Sequence, residues 1–224
     1  TITGGNRERD LRTGFTSPPR LTLNSAFEFM SKPSWALNYF LREKFELAQL
    51  KDHVAEGSNI AISVGDYFSS MLDQSMSWDD IADLQKSWGG KFCLKGIMSP
   101  TDARRAAEMG ADAIMISNHG GRQLDGSRSP FDQLEEIVQA VGGEIDIILD
   151  GGIQRGTHIL KAMALGATAC SGGRMYLYAL AAGGQKGVEK ALGNLYTEIE
   201  RDMKLMGVRS LSELTPDMLR RRVQ

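Results

Sequence analysis

The chain has 224 residues, of which 42% are hydrophobic and 24% charged, and this length is enough to bury a sizeable core. Its 26 Lys and Arg residues against 28 Asp and Glu give a net charge of −2, which offers no bulk attraction for nucleic acid. The composition excludes collagen, a disordered tail, a disulfide-rich mini-protein and an integral membrane protein, because every apolar run is far shorter than the ~20 residues of a spanning helix.

The chain begins at Thr1 without an initiator Met or a signal-peptide pattern, so we expect a processed chain or a piece of a longer one. The following segment, 17–76, lacks a steady hydrophobic period and is predicted to be a long loop insertion, of a length that is usually functional or mobile. It is rich in aromatic residues with interleaved basic ones: Phe27, Phe29, Trp35, Tyr39, Phe40, Phe45, Tyr67, Phe68, Lys32, Arg42 and Lys44. Three interpretations stay open: an insertion with its own small core, a surface resting on a membrane interface, and a partner-protein surface.

From Ser77 onwards the sequence repeats an amphipathic stretch, a turn, a short apolar run and a glycine-rich turn. The predicted strands are Phe92–Leu94, Ala113–Ile116, Ile145–Leu149 and Ala167–Cys170. The predicted helices begin at Ser77 and Ser99, span Phe131–Val141, Gly156–Leu165 and Gly187–Met206, and end with a short one near Ser210. Four consecutive βα units predict a parallel sheet covered by helices. Two of the strands contain the cysteines, Cys93 and Cys170, which we expect to be buried in a reducing compartment.

Chemically capable residues follow all four strands: Lys95, His119, Arg122, Asp150 and Arg174. An open doubly wound sheet uses its carboxyl edge only near a switch point, whereas a (β/α)8 TIM barrel uses every strand end, so the pattern favours the barrel. Four units are roughly the second half of such a barrel. We therefore interpret 1–224 as the C-terminal part of one domain, with 17–76 as the long loop and 77–224 as βα units 5–8 and C-terminal helices. Because a half barrel leaves two sheet edges unpaired, we expect a missing N-terminal half as its partner.

The stretch 117–125 places an imidazole, His119, and a guanidinium, Arg122, in one glycine-rich turn. Histidine is a natural proton acceptor, and arginine offers a planar fork for a carboxylate. The alternative is a capped turn with a satisfied histidine. By contrast, His53 and His158 stand alone and are predicted to be non-catalytic.

Lys95 ends an apolar strand, where its ammonium group would suit either an anionic cofactor atom or a neighbouring carboxylate. The glycine-rich turns 150–156 and 172–174 follow the last two strands. In barrels these turns commonly bind phosphate through loop and helix amides, with an arginine completing the charge.

Together 117–125, 150–156 and 172–174, with Lys95-Gly96-Ile97, resemble the FMN-dependent α-hydroxy acid dehydrogenase/oxidase family. The likeness runs from Gly5 to Leu219, so it covers essentially the whole chain. It implies bound FMN, oxidation of an L-2-hydroxy acid (lactate- or mandelate-like) to a 2-oxo acid, and a homotetramer. No metal site is implied.

The resemblance also implies a role for each matching residue. His119 would be the base that takes a proton from the substrate, and Arg122 and Arg7 would hold the substrate carboxylate. Lys95 and Ser117 would contact the flavin, with Lys95 at its N1/O2 edge. The phosphate would lie among Asp150, Gly151, Gly152, Gln154, Arg155, Gly173 and Arg174. Members usually carry arginine where this chain has Gln154, so we expect phosphate binding to depend more on Arg174.

The segment 17–76 falls where membrane-bound members carry a membrane-associating loop. This favours a cytoplasmic enzyme, peripheral on the inner face of the cell membrane, that passes electrons from FMN to a quinone. The alternatives are an oxidase that uses O2, a truncated non-catalytic remnant, and another FMN- or phosphate-binding barrel such as an isomerase.

Overall fold

The computed structural model describes residues 12, 22–41, 73, 75–124 and 126–220. The chain divides into two compact units, Thr1–Met76 and Ser77–Gln224.

Two short helices lie in the first unit, α1 (Leu23–Met30) and α2 (Pro33–Leu41). The Thr22 hydroxyl caps α1 by accepting the backbone N–H of Ser25, and the Ser25 hydroxyl accepts the backbone N–H of Thr22. These helices lie within 17–76, for which the sequence shows no steady hydrophobic period. At 8 and 9 residues each, they are too short to show a helical period in the sequence.

The second unit contains a parallel sheet of four strands: β1 (Cys93–Lys95), β2 (Ala113–Ile116), β3 (Asp146–Asp150) and β4 (Ala169–Ser171). The strands pair in chain order, with Lys95 opposite Met115, Met115 opposite Ile148, and Asp150 opposite Ser171. Four successive βα units in this order form part of a (β/α)8 barrel, which confirms the predicted fold class. The assignment of 1–224 to one domain stays a prediction.

Five helices accompany this sheet: α3 (Trp78–Trp88), α4 (Pro100–Glu108), α5 (Pro130–Val141), α6 (Gly156–Ala164) and α7 (Arg174–Met206). The first three begin with the same device, a serine whose hydroxyl accepts the backbone N–H of an aspartate three residues later. Turns of 3₁₀ helix follow at Leu211–Glu213 and Pro216–Met218. The N-terminal signals at Ser77 and Ser99 therefore predict these helix starts correctly.

The last helix, α7, consists of two helical segments: the second corresponds to the predicted helix Gly187–Met206, and the first, which begins at Arg174, is not predicted by the sequence. Gly184 interrupts it with φ 58° and ψ −146°. A Cβ atom on Gly187 would overlap the Ala179 carbonyl oxygen, so only glycine permits this bend. Because the residues around this break are small, the first half of the helix shows no clear hydrophobic periodicity in the sequence.

The sheet has one fully apolar face and one mixed face, because successive side chains on a strand point to opposite sides. The apolar face consists of Ile114, Ile116, Ile147 and Leu149, each at most 1% exposed, in one core cluster with buried residues of α4 and α5. The opposite face carries Lys95, Met115 and Asp150, all of which keep some exposure. Lys95 and Asp150 therefore lie on this second face, each at the carboxyl end of its strand.

The cysteines differ from the expectation that both are buried. Cys93 is exposed, because β1 is an edge strand with a partner on one side only within the described part of the chain. Cys170 is partly covered, and this burial raises the pKa of its thiol to about 11.

One carboxylate on α7 holds the start of helix α6 in place. Glu198 accepts the backbone N–H of Gly156 at 2.8 Å and the Arg155 guanidinium at 2.7 Å. A Cβ atom on Gly156 would lie 2.7 Å from the backbone nitrogen of Ile199 and 2.8 Å from Cβ of Glu198. Only glycine lets the two helices approach this closely.

Gly156→Ala should therefore destabilise the protein by about 2 kcal/mol, the typical cost of overpacking a close contact. Gly193→Ala on α7 is the matched control, since a Cβ atom there meets nothing within 4 Å and helix propensity improves. Urea denaturation of the two variants measures the difference. Equal stability of both variants would contradict the close packing at Gly156.

Candidate active site

Three polar side chains meet where the first three strands end. Lys95 closes β1, Ser117 follows β2 and Asp150 closes β3, and adjacent parallel strands bring these positions together. The Lys95 ammonium group forms an ion pair with Asp150 and donates to the Ser117 hydroxyl at 2.9 Å. That hydroxyl donates to Oδ2 of Asp150 at 2.6 Å. The neighbouring-carboxylate interpretation of Lys95 is thus realised in this structure.

The Asp150 carboxylate keeps its charge in this position. Burial alone would raise the pKa of Asp150, but hydrogen bonds from Lys95, Ser117 and Ser171 and the Lys95 charge together hold it below its ordinary value. Its side chain is 15% exposed, against 50% for Lys95. The ammonium group therefore extends towards the open side of the site while the carboxylate anchors it.

The loop after β2 is built from glycines and an asparagine. Asn118 accepts the backbone N–H of Gly121 at 3.0 Å and donates to the Arg128 carbonyl oxygen at 3.2 Å. Gly120 and Gly121 have φ of 68° and 70°. The result is a tight 3₁₀ turn at His119–Gly121.

His119 has φ 56°, and it is the one non-glycine residue with positive φ in the described parts of the chain. Such backbone strain persists only where the surroundings enforce it and is concentrated at functional sites. Here the backbone N–H of His119 donates to the Ser117 hydroxyl at 3.2 Å. The exposed imidazole is thereby tied to the Lys95–Ser117–Asp150 network through the backbone.

A guanidinium from the helix that follows the last strand reaches the same loop. Arg174 begins α7 and donates to the Gly120 carbonyl oxygen at 2.6 Å. A Cβ atom on Gly120 would displace this guanidinium, and the φ of 68° at Gly120 favours glycine at that position. Arg174 and the His119 turn therefore lie side by side, although 54 residues separate Gly120 from Arg174.

A cavity of about 490 Å³ opens between these loops. Its lining combines glycine backbone with basic side chains: Asn118, Gly120, Gly121, Ser129, Pro130, Phe131, Gly151, Gly152, Ile153, His158, Lys161 and Arg174. No carboxylate belongs to this set within the described residues. Gly121 and Gly152 have positive φ with nothing within 4 Å of an added Cβ atom, so their backbone is open to a ligand.

Two of the lining side chains, His158 and Lys161, lie outside the site predicted from the sequence. Nδ1 of His158 lies 3.1 Å from the Gly152 carbonyl oxygen and 3.3 Å from the backbone nitrogen of Gln154, so it braces the turn after β3. The signal for both residues was their i, i+3 spacing on α6, which places them on one helix face.

The other predicted site residues fall in different places. Arg155 is paired with Glu198 and does not line the cavity, and Gln154 and Arg122 are exposed. Gly173 is the N-cap of α7, directly before Arg174. Arg7 lies outside the described residues. Within those residues, no group of three or more His, Cys, Asp or Glu side chains could hold a metal ion.

The donor set fits a flavin mononucleotide. Lys95, Arg174 and Lys161 are cationic, the glycine turns present open backbone, and the cavity lining carries no described carboxylate that would repel a phosphate. The residues near the strand ends therefore fit both parts of FMN, the polar flavin ring and the anionic phosphate.

Comparison with known proteins identifies a family. The sequence model of the family described as FMN-dependent dehydrogenase matches residues 1–221. The L-lactate dehydrogenase of Xanthomonas campestris pv. campestris is 40% identical over 98% of this chain and 56% of its own length. That of Alcaligenes faecalis is 39% identical over 96% of this chain and 56% of its own length. The chain therefore spans a little over half the length of these relatives.

A solved structure covers the same region. The crystal structure of the monotopic membrane protein (S)-mandelate dehydrogenase superposes with a TM-score of 0.87 and 33% identity. The match covers 97% of this chain and 57% of that one. With a family match over nearly its whole length and the site geometry above, the chain belongs to the FMN-dependent dehydrogenase family.

Proposed function

We propose that the complete protein is an FMN-dependent dehydrogenase that oxidises an L-2-hydroxy acid to the 2-oxo acid. The observation that carries this proposal is the His119 turn, which is strained, glycine-built and tied by Ser117 to Lys95 and Asp150. Relatives named L-lactate dehydrogenase support it. Because the chain spans little more than half the length of these relatives, this activity is proposed for the complete protein.

In this proposal FMN, when bound, would accept a hydride equivalent, that is two electrons and one proton, from the hydroxy acid. His119 takes a proton from the substrate, and Arg122, in the same turn, holds the substrate carboxylate through its planar fork. Lys95 supplies positive charge beside the flavin, kept in position by Asp150. Arg174 and the glycine turns after β3 and β4 bind the phosphate.

His119→Gln should lower kcat by about 10²–10⁴-fold, because the imidazole acts as the general base. The visible flavin spectrum of the variant should remain, since the network that faces the cofactor is unchanged. Steady-state turnover of L-lactate and L-mandelate with a soluble dye measures the effect. Near-normal kcat in a variant with bound flavin would rule out His119 as the base.

Arg122→Met should instead raise KM for the hydroxy acid about tenfold or more, because a charge-assisted carboxylate contact is lost. Arg104→Met is the matched control, since Arg104 is paired with Glu144 away from the cavity and should leave KM unchanged. Equal KM values for Arg122→Met and Arg104→Met would refute the assignment.

We also propose that α1 and α2 rest on a membrane surface and that the electron acceptor is a membrane quinone. Neither helix has a buried residue, and Leu23, Phe27, Phe40 and Leu41 are 92%, 72%, 76% and 81% exposed. Stacked aromatic rings join the two helices. The ring centroids of Phe29 on α1 and Trp35 on α2 are 5.4 Å apart, and those of Trp35 and Tyr39 are 5.3 Å apart. An apolar surface of this kind suits a lipid interface.

Two findings bear on the mode of attachment. Among the described residues, no helix is long and apolar enough to cross a membrane. The structural relative (S)-mandelate dehydrogenase is a monotopic membrane protein. The likeness to this monotopic protein supports peripheral binding, which we propose to be on the cytoplasmic face. The homotetramer implied by the family resemblance stays a prediction.

Phe40→Ser combined with Leu41→Ser should weaken binding to phospholipid vesicles about tenfold or more, since two exposed apolar side chains no longer enter the interface. Turnover with a soluble dye should be unchanged. Leu205→Ser is the control, because Leu205 is 79% exposed on α7 and lies outside these two helices. Vesicle co-sedimentation measures the partition, and unchanged partition of the double variant would contradict membrane docking by α1 and α2.

A further inference from the structure

The cavity beside the His119 turn carries more positive charge than the sequence motifs assign to it. Three basic side chains line it: His158, Lys161 and Arg174. His158 is engaged with the backbone of Gly152 and Gln154, so its ring serves the turn. Lys161 and Arg174 are left as the two fully charged groups that face the cavity in the described chain.

Lys161 is available for an anionic ligand. It forms no ion pair with any carboxylate in the part of the chain that the structure describes, and it is exposed at the cavity wall. It also lies one helical turn after His158 on the same face of α6, which follows the glycine turn directly. Its position is therefore set by the same helix that begins at the turn after β3.

The neighbouring basic residue cannot provide this charge. Arg155 is paired with Glu198, which also accepts the N–H of Gly156, and these contacts direct the guanidinium towards α7. The preceding residue, Gln154, is neutral. A phosphate monoester carries a charge of about −1.5 to −2 near neutral pH, so Arg174 alone leaves it undercompensated.

We propose that Lys161 is the second cation of the phosphate site and that it binds the FMN phosphate opposite Arg174. This inference rests on the proposed function, because it assigns a residue to the cofactor site of that same enzyme. Because Arg155, the basic residue of the turn 150–156, is paired with Glu198, the positive charge for the phosphate comes from Lys161 on α6 instead. His158 positions the turn and does not itself bind the phosphate.

The test compares FMN with riboflavin, which has the same ring system and no phosphate. Lys161→Met in the complete protein should lower FMN affinity about tenfold, as expected for loss of one charge-assisted contact, and leave riboflavin affinity unchanged. Lys190→Met is the matched control, since Lys190 is an exposed lysine on α7 that does not line the cavity. Quenching of free flavin fluorescence gives both dissociation constants.

A double variant tests whether positive charge alone accounts for the preference for FMN over riboflavin. Gln154→Arg introduced into Lys161→Met should restore at least part of the preference for FMN over riboflavin, and that preference should weaken with added salt. If Lys161→Met binds FMN with the wild-type preference, the inference is wrong while the proposed function stands. If the wild-type protein binds neither flavin, both are wrong.

Discussion

Lys95 closes β1, Ser117 follows β2 and Asp150 closes β3, and one ion pair with a bridging hydroxyl joins the three strand ends. The serine uses its full hydrogen-bonding capacity: it accepts from Lys95 and from the backbone of His119, and it donates to Asp150. Because the strained His119 backbone is one of those partners, the position of the proposed base depends on this network. Substitution of Lys95, Ser117 or Asp150 would therefore alter the position of the His119 turn.

The same network leaves Lys95 able to bind something else. An ammonium group has three donors, and Asp150 and Ser117 take two of them. The third lies near the sulfur of Met115 at 3.4 Å, which is a weak acceptor. An anionic cofactor atom would replace this contact at little cost, so the ion pair with Asp150 and a role towards a flavin are compatible.

Much of the second unit follows from local sequence. Serine caps, short apolar runs and glycine turns predict its four strands and most helix starts, and the strand-end positions of Lys95 and Asp150 predict that they lie at the same edge of the sheet. Contacts between distant residues are not encoded in this way. The Arg155–Glu198 pair joins positions 43 residues apart, and the orientation of Lys161 depends on how α6 packs. Local periodicity also missed α1 and α2, which are short, and the first half of α7, which ends at a glycine break.

The central claim is that this site binds FMN and uses it to oxidise a 2-hydroxy acid. The most direct measurement is the visible spectrum of the purified complete protein under anaerobic conditions, before and after addition of L-lactate and then of L-mandelate. The account predicts a yellow flavin spectrum that bleaches with one of these acids. Absence of flavin even after added FMN would contradict it, as would a bound flavin that no 2-hydroxy acid reduces.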